Sequence, residues 1–145
     1  MRDGFGAASR VMGYRTEALE ALPPGRVADR WVAIIDDHQS VRSCLTRVMR
    51  LEGIPAAVFA SAEEYLDYSA STAPCCLVLD MQLPGMSGYT LAQFLARERP
   101  PLPPTIFISA HDDLLASVGD DRLAHGSLRK PFEIDALLAF VKPLL

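Results

Sequence analysis

Five side chains that could do chemistry together each come at the end of a predicted strand: Asp36, Asp37, Asp80, Ser109 and Lys130. Three carboxylates brought close together raise one another's pKa values unless a cation neutralises them. Carboxylate oxygens with an open aqueous side suit Mg²⁺, which keeps several waters and favours phosphate oxygens. A carboxylate beside Mg²⁺ and an ammonium group can attack phosphorus and form an aspartyl phosphate. Mg²⁺, Lys130 and the Ser109 hydroxyl could each stabilise one oxygen of that transition state.

Each of these residues also has an ordinary structural explanation. Adjacent aspartates after a strand often begin a solvated helix, and an aspartate before Pro84 and Gly85 is often part of a turn. Lys130 is more informative, because the chain has two lysines against twelve arginines. A lysine at this position indicates a need for a compact ammonium group. The joint occurrence of all these residues at the ends of consecutive or near-consecutive predicted strands favours a functional site.

The elements that must position these residues alternate regularly. Continuous apolar runs predict strands buried on both faces at 31–35 and 75–79. Further short strands are predicted at 55–60, 105–108 and 125–129. Helical spacing predicts helices at 40–51, 61–69, 89–99 and 133–141, and the polar stretch 111–124 takes the place of the fourth helix. This is an α/β fold, (βα)5, with a doubly wound five-stranded parallel sheet. Its ligand site is expected beyond the carboxyl ends of the strands.

Composition excludes several classes of protein. Hydrophobic residues make up 50% and charged residues 22% of the 145 residues, as in a globular domain. No apolar run approaches the roughly 18 residues that cross a membrane, and no signal peptide begins the chain, so we expect a cytoplasmic protein. The net charge of −4 offers no basic stripe, so we expect no direct nucleic acid binding. Three cysteines without a metal-binding spacing are expected to be buried thiols.

The composition changes at Leu22-Pro23-Pro24-Gly25, which is typical of a linker. Residues 1–30 carry a net charge of +1, from five arginines and four acidic residues, whereas residues 31–145 carry −5. We therefore divide the chain into an N-terminal extension, 1–30, and a domain, 31–145. The extension could be flexible, could form one helix that docks or makes a homodimer, or could result from a wrongly chosen start codon.

The segment 31–145, about four fifths of the chain, resembles a response regulator receiver domain of bacterial two-component signalling. The motifs that carry the resemblance are Val-Ala-Ile-Ile-Asp-Asp at 32–37, Leu-Val-Leu-Asp-Met-Gln-Leu-Pro-Gly-Met-Ser-Gly at 77–88, Ile-Phe-Ile-Ser-Ala at 106–110 and Leu-Arg-Lys-Pro-Phe at 128–132. These motifs are similar to those in the receiver domains of helix-turn-helix transcriptional regulators. The resemblance implies a flavodoxin-like receiver fold.

The resemblance also implies a phosphorelay role for the carboxylates. Asp80 would accept a phosphoryl group from the phosphohistidine of a sensor histidine kinase or a histidine phosphotransferase. Asp37, Asp80 and the backbone carbonyl of Gln82 would be ligands of Mg²⁺, and Asp36 would act largely through water. The phosphorylated domain would then change conformation and regulate an output partner protein.

Four further residues take roles from the same resemblance. Ser109 would follow the phosphoryl group as the switch hydroxyl, and Lys130 would pair with that group. Ala110 would leave the entrance to the site open. The peptide bond before Pro131 would be cis, an isomer that is common only before proline.

Two residues are expected to tune the lifetime of the phosphoryl group. His111 lies two residues beyond Ser109, and Gln82 lies two residues beyond Asp80, so both can reach the entrance. Either could position or exclude the attacking water, and the direction of the effect stays open.

The sequence departs from the family pattern at the switch. The family usually has an aromatic residue three positions before the lysine, where this chain has Ser127, and glycine seven positions before it, where this chain has Leu123. A serine is too small to swing between an outer and an inner position as the aromatic does. No sequence follows Leu145, so we expect either a single-domain receiver or a fragment.

Other classes of protein fit the sequence less well. A haloacid-dehalogenase-like phosphatase also uses an aspartyl phosphate, but it needs a second aspartate where Asp80-Met81-Gln82 places glutamine. The glycine-rich motifs of nucleotide-binding enzymes are missing. We therefore expect no enzyme beyond self-catalysed phosphoryl transfer to, and hydrolysis from, Asp80. The alternative is a receiver-fold interaction module in which phosphorylation drives switching weakly or not at all.

Overall fold

Five parallel strands form one sheet in a computed structural model that describes residues 30–68, 72–112, 115 and 122–145. The strands are β1 (Val32–Ile35), β2 (Ala56–Phe59), β3 (Cys76–Asp80), β4 (Thr105–Ser109) and β5 (Gly126–Arg129). Their order in the sheet is β2-β1-β3-β4-β5. The strand order reverses between β1 and β3, so the expected ligand position lies at their carboxyl ends. The predicted doubly wound α/β fold is confirmed.

Four helices connect or follow these strands in the described residues: α1 (Gln39–Leu51), α2 (Ala62–Asp67), α3 (Gly88–Glu98) and α4 (Ile134–Val141). A short 3-10 helix, Lys142–Leu144, follows α4. Most of the polar stretch predicted at 111–124 lies outside the described residues. The extension predicted at 1–30 does too, except for its last residue. None of the described helices is long and apolar enough to cross a membrane.

Side-chain caps fix where two of the helices begin. The Ser61 hydroxyl accepts a hydrogen bond of 3.1 Å from the Glu64 backbone N–H, and the Glu64 carboxylate accepts one of 2.9 Å from the Ala60 N–H. This arrangement is a capping box in which the Glu64 carboxylate accepts from the residue before the cap rather than from the cap residue itself. Ser87 caps α3 in the same way by accepting a bond of 3.1 Å from the Thr90 N–H. Each such cap typically contributes about 1 kcal/mol.

The core lies on both faces of the sheet, which explains why the strands are apolar without alternation. Ala33 and Ile35 of β1 point to one side, where they belong to the same buried cluster as Leu91 of α3. Val32 and Ile34 point to the other side, towards the cluster that contains α1 and α4. Because helices cover both faces, every residue of β1 is buried, as the sequence pattern predicts.

The three cysteines do not share one environment. Cys76 is buried in β3 and Cys75 is partly buried, but Cys44 is exposed. The prediction of buried thiols is therefore wrong for Cys44. Helix α1 buries Leu45 and Met49, and a helix turns by about 100° per residue, so Cys44 lies to the side of that face.

Backbone hydrogen bonds continue beyond the strands and keep the carboxyl ends of neighbouring strands aligned with one another. The Asp36 N–H donates to the Phe59 carbonyl at 3.0 Å, and the Lys130 N–H donates to the Ser109 carbonyl at 2.8 Å. Asp80 itself ends β3 and pairs with Ile108 of β4. The residues that follow the strands are therefore brought to one edge of the sheet.

Candidate functional site

Four side chains at this edge place potential metal-ligating atoms within 4.8 Å of one another: Asp36, Asp37, His38 and Asp80. Asp36 is fully buried and Asp80 is 2% exposed, whereas Asp37 and His38 are exposed. The cluster therefore has a buried side, formed by the two strand-end carboxylates, and a side that is open to solvent.

Asp80 is held at both of its carboxylate oxygens. The Gln82 backbone N–H donates to Oδ1 at 3.0 Å, and the Lys130 ammonium donates to Oδ2 at 3.1 Å. Burial raises the pKa of Asp80, and the Asp36 carboxylate raises it further. The Gln82 N–H and Lys130 oppose these effects, but the pKa of Asp80 stays above its usual value. A cation near Asp80 would therefore favour its ionised form.

Lys130 is the cation that the protein itself provides. Its Nζ atom lies 2.7 Å from Asp36 Oδ2 and 3.1 Å from Asp80 Oδ2. Burial alone would lower the pKa of Lys130, but the two carboxylates raise it above its usual value. Lys130 is therefore charged at neutral pH, and it offsets one of the negative charges of the cluster.

The donor set fits a hard divalent cation. Asp36 Oδ2 is a buried oxygen that receives no hydrogen bond of suitable geometry from the described residues, although Lys130 lies close to it. Three carboxylates carry more negative charge than one ammonium group neutralises. Carboxylate oxygens with open solvent on one side are the ligands that Mg²⁺ takes in proteins. Asp36, Asp37 and Asp80 could hold such an ion.

Ser109 ends β4, which lies between β3 and β5 in the sheet. Its side chain is buried, and its hydroxyl accepts a hydrogen bond of 3.0 Å from the His111 backbone N–H. Ala110 is exposed beside it, and the peptide bond between Lys130 and Pro131 is cis. Ser109 thus lies at a strand end between those that carry Asp80 and Lys130.

The loop after β3 approaches Asp80 closely because of a glycine. A Cβ atom at Gly88 would overlap the Asp80 backbone carbonyl, so only glycine lets α3 begin this near to β3. The Gly88 N–H donates to the Met81 carbonyl at 3.1 Å. The Glu63 carboxylate of α2 accepts a bond of 3.1 Å from the Met86 N–H and ties the other side of the loop. These contacts fix the backbone around Asp80.

His38 belongs to this cluster, although sequence reasoning passed over it. Its Nδ1 atom lies 3.1 Å from Asp36 Oδ1 and 3.2 Å from Asp37 Oδ1. The signal was its position directly after the two aspartates. It was missed because only the residues that end strands were considered.

The remaining predicted residues lie around the cluster. Gln82 and His111 have exposed side chains and reach the site through their backbone N–H groups. Ser127 is exposed on β5, where it pairs with Phe107 of β4. The structure thus brings the aspartates and Lys130 together, whereas Ser127 lies on the exposed surface of β5.

Comparison with known proteins identifies the class of this domain. Residues 32–142 match the family model of the response regulator receiver domain. The chain belongs to this family of signalling modules from two-component systems.

Individual relatives agree with this assignment. The chain is 37% identical over 109 residues to the DNA-binding transcriptional regulator NtrC of Klebsiella pneumoniae, covering 74% of this chain and 23% of NtrC. It therefore spans about a quarter of that relative's length. The solved response regulator StyR is 35% identical with a TM-score of 0.71, and the match covers 80% of this chain and 59% of StyR.

A third relative was solved with a ligand. The response regulator TrrA of Thermotoga maritima, in complex with Mg²⁺–BeF, is 25% identical with a TM-score of 0.66. That match covers 80% of this chain and 98% of TrrA. The resemblance predicted from the sequence is confirmed, and so is its flavodoxin-like fold.

Proposed function

We propose that this domain accepts a phosphoryl group on Asp80 from the phosphohistidine of a sensor histidine kinase or histidine phosphotransferase. The phosphorylated domain then changes conformation and regulates a partner protein. The observation that carries this proposal is the position of the Lys130 ammonium, 3.1 Å from Asp80 Oδ2 at the rim of a buried carboxylate pair. A structural ion pair needs one carboxylate, but here one lysine faces two, Asp36 and Asp80.

The residues of the chain suit an in-line displacement at phosphorus. An Asp80 carboxylate oxygen attacks the phosphorus, and the P–O bond forms as the P–N bond to the donor histidine breaks. The electron pair of that bond returns to the departing imidazole. The Gln82 N–H orients the Asp80 carboxylate, and Lys130 lies where it can stabilise charge on the transferred group. The product is an acyl phosphate on Asp80, which water later hydrolyses to return the carboxylate and release phosphate.

Mg²⁺ is the cation that the receiver family implies for this cluster. Asp37, Asp80 and the Gln82 backbone carbonyl would hold it, with Asp36 acting largely through water. When bound, Mg²⁺ neutralises the carboxylates and withdraws charge from the phosphoryl oxygens. The complex of TrrA with Mg²⁺–BeF supports this assignment by relationship. The buried Asp36 Oδ2, whose neighbouring positive charge is the Lys130 ammonium 2.7 Å away, supports it from this chain because that ammonium faces more than one carboxylate.

Ser109 is proposed as the switch hydroxyl. Its hydroxyl now accepts from the His111 N–H, so it is free to donate its own proton to a phosphoryl oxygen. A charge-assisted hydrogen bond to that oxygen would draw the side chain towards Asp80. The exposed Ala110 leaves this side of the site open for the donor histidine.

A groove next to Lys130 supports docking of the phosphoryl donor. It has a volume of about 460 Å³ and is lined mainly by apolar side chains of α1, of the segment before α4 and of the first residue of α4, among them Val41, Cys44, Phe132 and Ile134. Ala110 and Lys130 line the same groove, so it opens beside the lysine that contacts Asp80. A partner helix with an apolar face could lie there while its histidine reaches Asp80.

A second function is favoured by one observation, the exposed Ser127 on β5. If the missing aromatic uncouples phosphorylation from the surface around β5, the domain acts as a receiver-fold interaction module with weak switching. Both functions use a protein partner. The net charge of −4 supports the proposal that this domain does not bind nucleic acid directly.

The test is phosphorylation of Asp80→Asn. Wild type, incubated with a phosphorylated histidine kinase and Mg²⁺, should incorporate phosphate that is acid-stable and base-labile. Asp80→Asn should incorporate none, and excess EDTA should stop the wild-type reaction. Asp67→Asn, an exposed aspartate at the end of α2, is the matched control and should react like wild type. Undiminished labelling of Asp80→Asn would overturn the proposal.

A further inference from the structure

The orientation of His38 is unusual for its place in the chain. It is the N-terminal cap residue of α1, with an extended backbone, but its side chain makes no capping hydrogen bond. Instead the ring turns towards the carboxylates, while the backbone N–H of His38 donates to Asp36 Oδ1 at 2.8 Å. The Nδ1 edge of the exposed ring is thereby directed towards the carboxylates of the site.

The distances from the ring match those between ligands of a single ion. Octahedral coordination at about 2.1 Å places adjacent ligands about 3.0 Å apart and opposite ligands about 4.2 Å apart. His38 Nδ1 lies 3.1 Å from Asp36 Oδ1, 3.2 Å from Asp37 Oδ1 and 3.9 Å from Asp80 Oδ2. All three distances fall within or close to this interval, and Lys130 Nζ, 3.4 Å from the same nitrogen, is the positive charge that now faces it. A metal ion that binds Asp37 and Asp80 could therefore also reach the nitrogen.

A second observation indicates that the cluster is built for a ligand. Asp36 Oδ2 is completely buried and receives no hydrogen bond of suitable geometry from the described residues. It faces the interior of the site, where Lys130 Nζ lies 2.7 Å away. An oxygen in this position carries charge that a cation could share.

We propose that His38 supplies a nitrogen ligand to this cation, so that the site prefers a divalent transition metal such as Mn²⁺ to Mg²⁺. This inference rests on the proposed function, because it uses the same carboxylates. Mg²⁺ takes oxygen ligands and waters, whereas imidazole suits the transition metals. Mn²⁺ accepts carboxylate ligands, and its affinity for protein ligands is the lowest of the divalent first-row transition metals. An imidazole in place of a water ligand therefore favours Mn²⁺ over Mg²⁺, and no thiolate ligand is needed.

The experiment follows Mn²⁺ directly by electron paramagnetic resonance on the full chain. This readout is needed because the single tryptophan, Trp31, precedes β1, whereas the carboxylates follow that strand. Wild type should show the nitrogen coupling of a bound imidazole in pulsed spectra. In His38→Asn this coupling should disappear, and Mn²⁺ affinity should fall by at least about tenfold. Mg²⁺ affinity, measured by competition, should fall by less than about threefold.

Two controls make the result decisive. His111→Asn changes another exposed histidine near the site, one that contacts Ser109 only through its backbone, and should keep the nitrogen coupling. Asparagine is a good helix cap, so His38→Asn is expected to fold. Mn²⁺ bound by wild type without nitrogen coupling overturns the role of His38 but not the cation site. Failure of wild type to bind either metal overturns the proposed site itself, and with it the role of His38.

Discussion

Lys130 Nζ lies 3.1 Å from Asp80 Oδ2, although their strands, β5 and β3, are separated by β4 in the sheet. The long aliphatic stem of lysine makes this contact across β4 possible. The Lys130 backbone remains bonded to the end of β4 through its N–H and the Ser109 carbonyl. One residue therefore links the end of β3, at Asp80, to the end of β4, at Ser109.

The ammonium of Lys130 is expected to be essential for rapid phosphoryl transfer. Lys130→Met keeps the aliphatic stem but removes the charge, so the initial rate with acetyl phosphate should fall by about hundredfold, as for loss of a preorganised donor. Lys130→Arg should also be slow, because a planar guanidinium cannot reproduce a single nitrogen placed 2.7 Å and 3.1 Å from two carboxylates. Lys142→Met, at the exposed end of the chain, is the control. A Lys130→Met variant as fast as wild type would remove Lys130 from the mechanism.

Gln82 and His111 are expected to change how long the phosphoryl group survives. Their backbones bind Asp80 and Ser109, and their side chains are exposed at the entrance. Replacing both by alanine should change the dephosphorylation rate by more than about threefold, which corresponds to a barrier change above roughly 0.65 kcal/mol. Decay of the isolated acyl phosphate measures this rate, with Gln93→Ala on the exposed side of α3 as control. An unchanged lifetime would show that neither side chain contacts the attacking water.

The central strands could be predicted because a continuous run of apolar residues indicates a strand that is buried on both faces. Leu77, Val78 and Leu79 are apolar without alternation because helices cover both faces of β3, and Asp80 comes where that cover ends. The strand-end residues of the site could therefore be predicted together with the strands. The doubly wound parallel sheet followed from the regular alternation of strands and helices and from the resemblance.

Two features could not be predicted in this way. His38 is itself the cap residue of α1, and its ring turns away from the helix towards the carboxylates. Residue spacing carries no information on that rotation. The exposure of Cys44 depends on which 100° sector of α1 faces the sheet, and Val41, Leu45 and Met49 allow more than one such sector. Both depend on tertiary packing rather than on local pattern.

Stability should fall in alkaline solution because of two buried acids. Burial raises the pKa of the Cys76 thiol from 9.0 to about 12 and that of Tyr65 from 10.0 to about 12. Since the folded state keeps these groups neutral, their contribution is complete below pH 9 and is lost as the pH rises towards 12. Each ionising group adds a slope of about 1.4 kcal/mol per pH unit in that window.

Urea unfolding between pH 8 and pH 11 checks this expectation. Cys76→Ala should be less stable at every pH because it leaves a cavity, but its stability should fall less steeply above pH 9. Cys44→Ala, which changes an exposed thiol, should leave the slope unchanged. Equal slopes for wild type and Cys76→Ala would contradict the assignment to Cys76.

The groove beside Lys130 should matter for the protein donor and not for a small one. Cys44→Asp places a charge among the apolar side chains of the groove, at an exposed position where folding tolerates it. Phosphotransfer from a histidine kinase or phosphotransferase should slow by at least about tenfold, since a buried unpaired charge costs an interface more than 1.4 kcal/mol. Labelling by acetyl phosphate should be unchanged. Equal loss with both donors would mean damage to the site rather than to docking, and Arg47→Asp on the exposed side of α1 controls for charge.

Ser127 should limit how far phosphorylation changes the surface around β5. The Ser109 hydroxyl gains a charge-assisted hydrogen bond to the phosphoryl group and moves inward. In aromatic-bearing receivers a neighbouring ring fills the vacated space, but the exposed Ser127 is too small to do so. Because a ligand shifts an equilibrium only by its differential affinity for two states, the population shift should be smaller here.

Hydrogen exchange with and without a beryllofluoride phosphate mimic and Mg²⁺ should show little added protection over residues 122–130 in wild type and more in Ser127→Tyr. Ser127→Thr, with no aromatic ring, should behave like wild type. A large change in wild type to which Ser127→Tyr adds nothing would show that this receiver switches without the aromatic residue.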